Sequence, residues 1–111
     1  MSKRQRHTLD VSKRPFADIA ARLRWHRVEF EGLQQAEYAA KAGIGRTALS
    51  NWETGDKRVS IDAAMRLRLV YGTSLDWLYC GDAESLPASL RRAWRDAEHP
   101  DQGRDWLRPP P

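Results

Sequence analysis

Apolar positions recur at helical spacing almost without interruption from residue 16 to residue 80, and no stretch shows the sustained period-two alternation of a strand. No Asn-Gly or Asp-Gly pair marks a hairpin. Ile19, Leu23 and Phe30, with His26 on the same line, predict a first helix over residues 15–30, closed by Gly32. Tyr38, Ala39 and Ala42 predict a second, starting at Gln34-Gln35 and ending at Gly43. A third is predicted over residues 46–53 or 46–54, stopping at Gly55. Ser60 and Ser74 are good N-caps for a fourth helix over 61–71 and a short fifth over 75–79, ended by Gly72 and Gly81. The pattern therefore describes an all-α body of five short helices.

Beyond Gly81 the pattern thins. Pro87 suits the first turn of a helix over 86–98 that carries Leu86, Leu90, Ala93, Trp94 and Ala97, with Pro100 as its stop. The proline-rich end, Pro109-Pro110-Pro111, excludes regular structure. The expected organisation is a flexible basic arm over residues 1–14, a helical body over 15–81 and an extension over 82–111. A chain of 111 residues fits one such domain.

Charge changes the picture next. The formal net charge is +4, and residues 1–32 hold all of that excess, with eight Lys/Arg against four Asp/Glu. Lys3, Arg4, Arg6, Lys13 and Arg14 precede any predicted helix, and a basic arm beside a near-neutral body suits an anionic polymer. No apolar run approaches the roughly 20 residues of a membrane span. The opening residues lack the apolar core of a secretion signal, so the expected location is the cytoplasm, with no membrane partner. The lone Cys80 excludes an intrachain disulfide or a cysteine-rich zinc site. His7, His26 and His99 fall at no zinc spacing, and Gly43-Ile44-Gly45 lacks the rest of any nucleotide fingerprint. An enzyme, a metal or a cofactor is not expected.

Residues 35–54 are the informative stretch. Gly43 stands where a tight turn joins two helices, and the small Ala39 four positions earlier lets the second helix cross close to the first. Tyr38, Ala42, Ile44, Leu49 and Trp52 stand where apolar side chains must lock the pair. On a helical wheel Arg46, Ser50, Thr47 and Asn51 fall at roughly 0°, 40°, 100° and 140°, while Ala48, Trp52 and Leu49 fall between about 200° and 300°. One arc hydrogen-bonds and the other packs. A helix about 12 Å long fits a DNA major groove. Arg46 suits guanine, Asn51 suits adenine, and the Thr47 methyl suits thymine.

The run from Leu33 to Gly55, with Gln35, Ala39, Gly43 and Ser50-x-Trp52-Glu53-x-Gly55 in register, resembles the Cro/lambda-repressor (XRE-type) helix-turn-helix family. The likeness continues through Ser60-Ile61 and Ser74-Leu75-Asp76-x-Leu78, and covers about residues 16–80. It implies a five-helix DNA-binding domain of a transcriptional regulator, usually a homodimer on a pseudo-palindromic operator. Carried over by position, it implies base reading by Arg46, Thr47 and Asn51, with Ser50 between them. It also implies phosphate contacts from Gln35, Lys57 and Arg58, and a structural pair between Glu53 and a first-helix arginine, here Arg27. Lys3, Arg4 and Arg6 are candidates for further contacts from the arm. Two positions depart from the pattern: Gly45 replaces the usual Ser/Thr cap, and His26 replaces a packed aliphatic residue. The stretch from Arg27 to Leu33 is one residue longer than usual.

Of the five tryptophans, Trp52 and Trp77 belong on packing positions, Trp25 lies off the Ile19/Leu23 line towards solvent, and Trp94 and Trp106 either cover the domain or form a subunit contact. The competing reading is a protein-interaction module, either an adaptor or an antitoxin that wraps a toxin with residues 84–98. An adaptor would carry apolar or acidic residues where Arg46, Thr47, Ser50 and Asn51 stand.

Overall fold

The computed structural model describes residues 13–97, and these residues form helices and turns with no strand. The first helix is α1, Ala17–Trp25, and it runs on as a π-helical turn, His26–Glu31. It is followed by α2 (Gln35–Ala42), α3 (Arg46–Glu53), α4 (Ile61–Tyr71) and α5 (Leu75–Cys80). A 3-10 turn, Ala83–Ser85, leads into α6, Ala88–Asp96. The lambda-repressor-like all-α architecture read from the sequence is the one observed.

Two elements differ from the sequence pattern. The first helix is not one regular α-helix over 15–30, because its last six residues widen into the π turn. A π turn takes in one extra residue, and this is the stretch that carries one. Gly32, in the left-handed region at φ 66°, ends it, and the Leu33 N–H donates to the Arg27 carbonyl at 3.0 Å. The last helix is shorter than 86–98. The residue before a proline avoids the α region, so Leu86 is extended (ψ 151°), Pro87 stands outside as the cap, and Ala97 is extended at the other end.

The core collects side chains from every helix. Ile19 and Leu23 of α1 meet Tyr38, Ala39 and Ala42 of α2, Leu49 and Trp52 of α3, Leu67 of α4 and Trp77 and Leu78 of α5. From the extension, Leu86, Leu90 and Trp94 are buried in the same cluster. Trp94 meets Trp25 edge-on at 4.9 Å between ring centroids and Trp77 at 5.2 Å, so the extension covers the body. Trp25 is therefore half-buried between aromatic rings and not solvent-facing. Arg22 is fully buried, its Nε donating to the Leu78 carbonyl at 3.0 Å and its Nη2 to Asp18 at 3.2 Å. Burial lowers its pKa against the Asp18 charge that raises it. Ser60 and Ser74 cap α4 and α5, each hydroxyl accepting from the backbone N–H three residues on.

Candidate nucleic-acid interface

α3 is placed by the turn before it. Gly43 adopts φ 70°, which a side chain resists, and the Ile44 N–H donates back to the Ala39 carbonyl at 3.0 Å. Ala39 is buried and small, so α3 crosses tightly over α2, with Leu49 and Trp52 turned into the core. Gly55 ends the segment at φ 84°, where a Cβ would come within 2.9 Å of that of Arg14.

Three side chains converge on the C-terminal residue of α3. Arg27 donates from Nε and Nη2 to the two Glu53 carboxylate oxygens at 2.7 and 2.8 Å, and from Nη1 to the Leu33 carbonyl at 2.9 Å. Gln35 Nε2 donates to Glu53 Oε1 at 3.0 Å, and Arg24 Nη1 donates to the Glu53 backbone carbonyl at 2.6 Å. The carboxylate raises the Arg27 pKa and keeps that guanidinium charged. α3 is thereby fixed to both α1 and α2 at one point.

With the packing arc buried, the opposite arc is outside. Arg46, Thr47 and Asn51 are exposed and Ser50 is half-buried. Lys57 and Arg58 are exposed in the loop that follows, and the Arg58 guanidinium lies over the Phe16 ring, 4.9 Å from its centroid. The Thr54 hydroxyl donates to the Asn51 carbonyl at 2.9 Å, which shapes the exit from α3. Gly45 caps α3 through its backbone alone, with no side-chain bond to the first-turn N–H groups.

Gln35 is half-buried at the start of α2 and its amide nitrogen is engaged by Glu53. Only its carbonyl oxygen and the second amide hydrogen are left for an outside group. Sequence reasoning missed Arg24, whose bond to Glu53 is made across 29 residues. It also assigned Arg14 to a flexible arm, whereas Arg14 is ion-paired with Asp56 beside the interface. A carboxylate two residues before Arg58 was the available signal. Lys3, Arg4, Arg6, His7, His99, Trp106 and the proline-rich tail lie outside the described residues.

His26 is fully buried where α1 widens. Its Nδ1 shares a 2.7 Å hydrogen bond with the Tyr38 hydroxyl, and Tyr38 stacks on Tyr71 at 4.4 Å. Desolvation lowers the His26 pKa to about 4, so the ring is neutral at physiological pH. Cys80 is half-buried. No helix among the described residues is long and apolar enough to cross a membrane, and none of their His, Cys, Asp or Glu side chains cluster in threes.

Comparison with known proteins gives one result on this segment. Residues 30–78, from the end of the π turn into α5, match the family model described as helix-turn-helix. No curated protein and no solved structure gives a significant match to the chain.

Proposed function

This chain belongs, through residues 30–78, to the Cro/lambda-repressor-like helix-turn-helix family of DNA-binding regulators, and from that premise we propose that it is a repressor reading a pseudo-palindromic operator as a homodimer. One observation carries the reading: α3 buries Leu49 and Trp52 and turns Arg46, Thr47 and Asn51 outward. Arg46 and Asn51 read purine edges, Thr47 meets a thymine methyl, and Ser50 reaches base or backbone. Lys57, Arg58 and the free part of Gln35 hold phosphates and set the register. The arm residues Lys3, Arg4 and Arg6 add backbone or minor-groove contacts.

Three or four base contacts, each worth about 1–3 kcal/mol of discrimination, do not select one site in a genome. Two subunits with recognition helices about 34 Å apart do. Occupying the operator then excludes polymerase, with no catalytic step and no cofactor, inside the cytoplasm. The antitoxin alternative requires residues 84–98 to wrap another protein. Leu86, Leu90 and Trp94 are instead buried against this chain's own core, which favours the regulator.

The test is selection from random duplex DNA followed by sequencing. A two-fold-related consensus is expected. Arg46→Ala flattens the preference at its own position, whereas Lys57→Ala weakens all sequences alike and lowers the salt slope by about 1. Binding without sequence preference overturns the reading.

A further inference from the structure

The loop after α3 carries Asp56, Lys57 and Arg58 side by side, all three exposed. The two cations are the phosphate holders of the reading above, and a carboxylate beside them has the wrong sign for that task. Cα atoms two residues apart are separated by at most about 7 Å, inside the roughly 8–10 Å over which salt leaves charges unscreened. A bare Asp56 would oppose any phosphate that Lys57 and Arg58 draw in, or would pair with one of them and take it out of use.

Asp56 is instead held from elsewhere. Its Oδ1 accepts from Nη1 of Arg14, 42 residues earlier, and its Oδ2 lies 3.1 Å from the Thr54 hydroxyl that also serves the Asn51 carbonyl. Among the described residues no ion pair joins Asp56 to Lys57 or Arg58, and the Arg58 guanidinium rests over the Phe16 ring. The backbone brings Arg14 to this place. The Phe16 N–H donates to the Gly55 carbonyl at 3.1 Å, and Gly55 approaches so closely that a Cβ on it would lie 3.4 Å from the Ala17 backbone as well as 2.9 Å from the Arg14 Cβ. Residues 14–17 are thus strapped to the loop by a backbone bond, a close approach and two side-chain contacts.

We propose that Arg14 is a positioning residue of the DNA interface: it masks the Asp56 carboxylate and so leaves Lys57 and Arg58 to phosphates. The proposal rests on the DNA reading above and adds to it a residue that acts through another, without touching the duplex. The formal charge of the pair is neutral in wild type, negative in Arg14→Ala, positive in Asp56→Asn and neutral again when both changes are made.

Fluorescence anisotropy on the selected duplex, at several salt concentrations, tests the masking. Arg14→Ala is expected to weaken binding about threefold or more, Asp56→Asn to strengthen it by a similar factor, and the double variant to return to within about twofold of wild type. The spread narrows as salt rises. Arg95→Ala and Glu84→Gln, which break the exposed ion pair of the extension, serve as controls for net charge and should each shift affinity by less than about twofold. Every variant is assayed below its circular dichroism melting transition. Weakening by both single changes would make the pair a structural strap only, because each breaks the same bond. A double variant as weak as Arg14→Ala would mean that Arg14 itself holds a phosphate. Either result overturns the masking, as does indifference to all three variants or an equal response to the control pair. A wild type that binds no duplex removes the DNA reading itself, whereas binding without the expected order removes the masking alone.

Discussion

The Arg27 guanidinium holds both oxygens of the Glu53 carboxylate, at 2.7 and 2.8 Å, across the junction between α1 and α3. Glu53 is only 4% exposed and Arg27 side-chain exposure is 12%, so each charge depends on the other for its solvation. The pair also sets orientation, because Gln35 of α2 bonds the same carboxylate. Replacing Arg27 by Ala strands a buried anion that Gln35 alone cannot satisfy, and should cost about 3 kcal/mol in urea unfolding. Arg27→Ala combined with Glu53→Ala should cost less than the sum of the two single changes, since neither charge is then left alone. Strict additivity would show that the two residues act separately.

The aromatic contact between α6 and the body gives a second prediction. Trp94 is 1% exposed and closes over Trp25 and Trp77. Trp94→Ala should lower stability by about 3–5 kcal/mol and remove most of the near-ultraviolet dichroism of the cluster. Trp94→Phe, which keeps a ring, should lose less. If the extension served as a subunit contact instead, Trp94→Ala would change the sedimenting mass with little effect on the unfolding midpoint.

Local periodicity made most of this fold legible. α3 and α4 occupy the spans that the apolar spacing predicts, and Ser60 and Ser74 both act as caps, because a cap and a helical stripe depend on residues three or four apart. The polar arc of α3 was legible for the same reason. Long-range partners were not. Trp25 looked solvent-facing on its own helix, and only the arrival of Trp94 from 69 positions later encloses it. Nothing in the local pattern marks Arg22, yet it is buried because Leu78 offers a carbonyl and Asp18 a charge. The bond from Gln35 to Glu53 also comes from tertiary packing, so half of that side chain is already used within the protein. The π turn had a trace in the sequence, the extra residue before Leu33, but its shape follows from which side chains it must seat.

His26 makes acid stability specific. An unfolded histidine titrates near 6.5, and burial lowers this one to about 4 in the folded protein. Between those values the unfolded chain binds more protons, so stability falls as pH drops from about 6.5 to about 4 and is unaffected by this residue above that window. The difference amounts to about 3 kcal/mol across the window. Glu31 faces Nε2 at 3.7 Å, too far for a hydrogen bond, and the ring is otherwise bordered by Phe30, Tyr38, Tyr71 and Trp77. His26→Leu should flatten the stability profile between pH 6.5 and 4 relative to wild type. An unchanged slope would assign the acid sensitivity to other groups.

Gly45 offers the opposite kind of test, a gain. It caps α3 at φ −74° and ψ 139°, a conformation that any residue adopts, and contributes no side-chain acceptor to the first-turn N–H groups. A Cβ added there would meet only the Ala48 methyl, at 4.0 Å. Gly45→Ser therefore adds a hydroxyl in the position that serves Ser60 and Ser74 on α4 and α5, without strain. Because glycine is itself a tolerable cap, the gain should be a few tenths of a kcal/mol, raising the melting temperature by roughly 1–3 °C. The same hydroxyl would stand beside the exposed Arg46 and Thr47, at the end of α3 that the DNA reading turns towards the duplex. Affinity for the selected duplex should therefore hold or rise with stability. A variant that melts higher but binds less tightly would mean that the bare N-terminus of α3 approaches the backbone more closely than a hydroxyl permits.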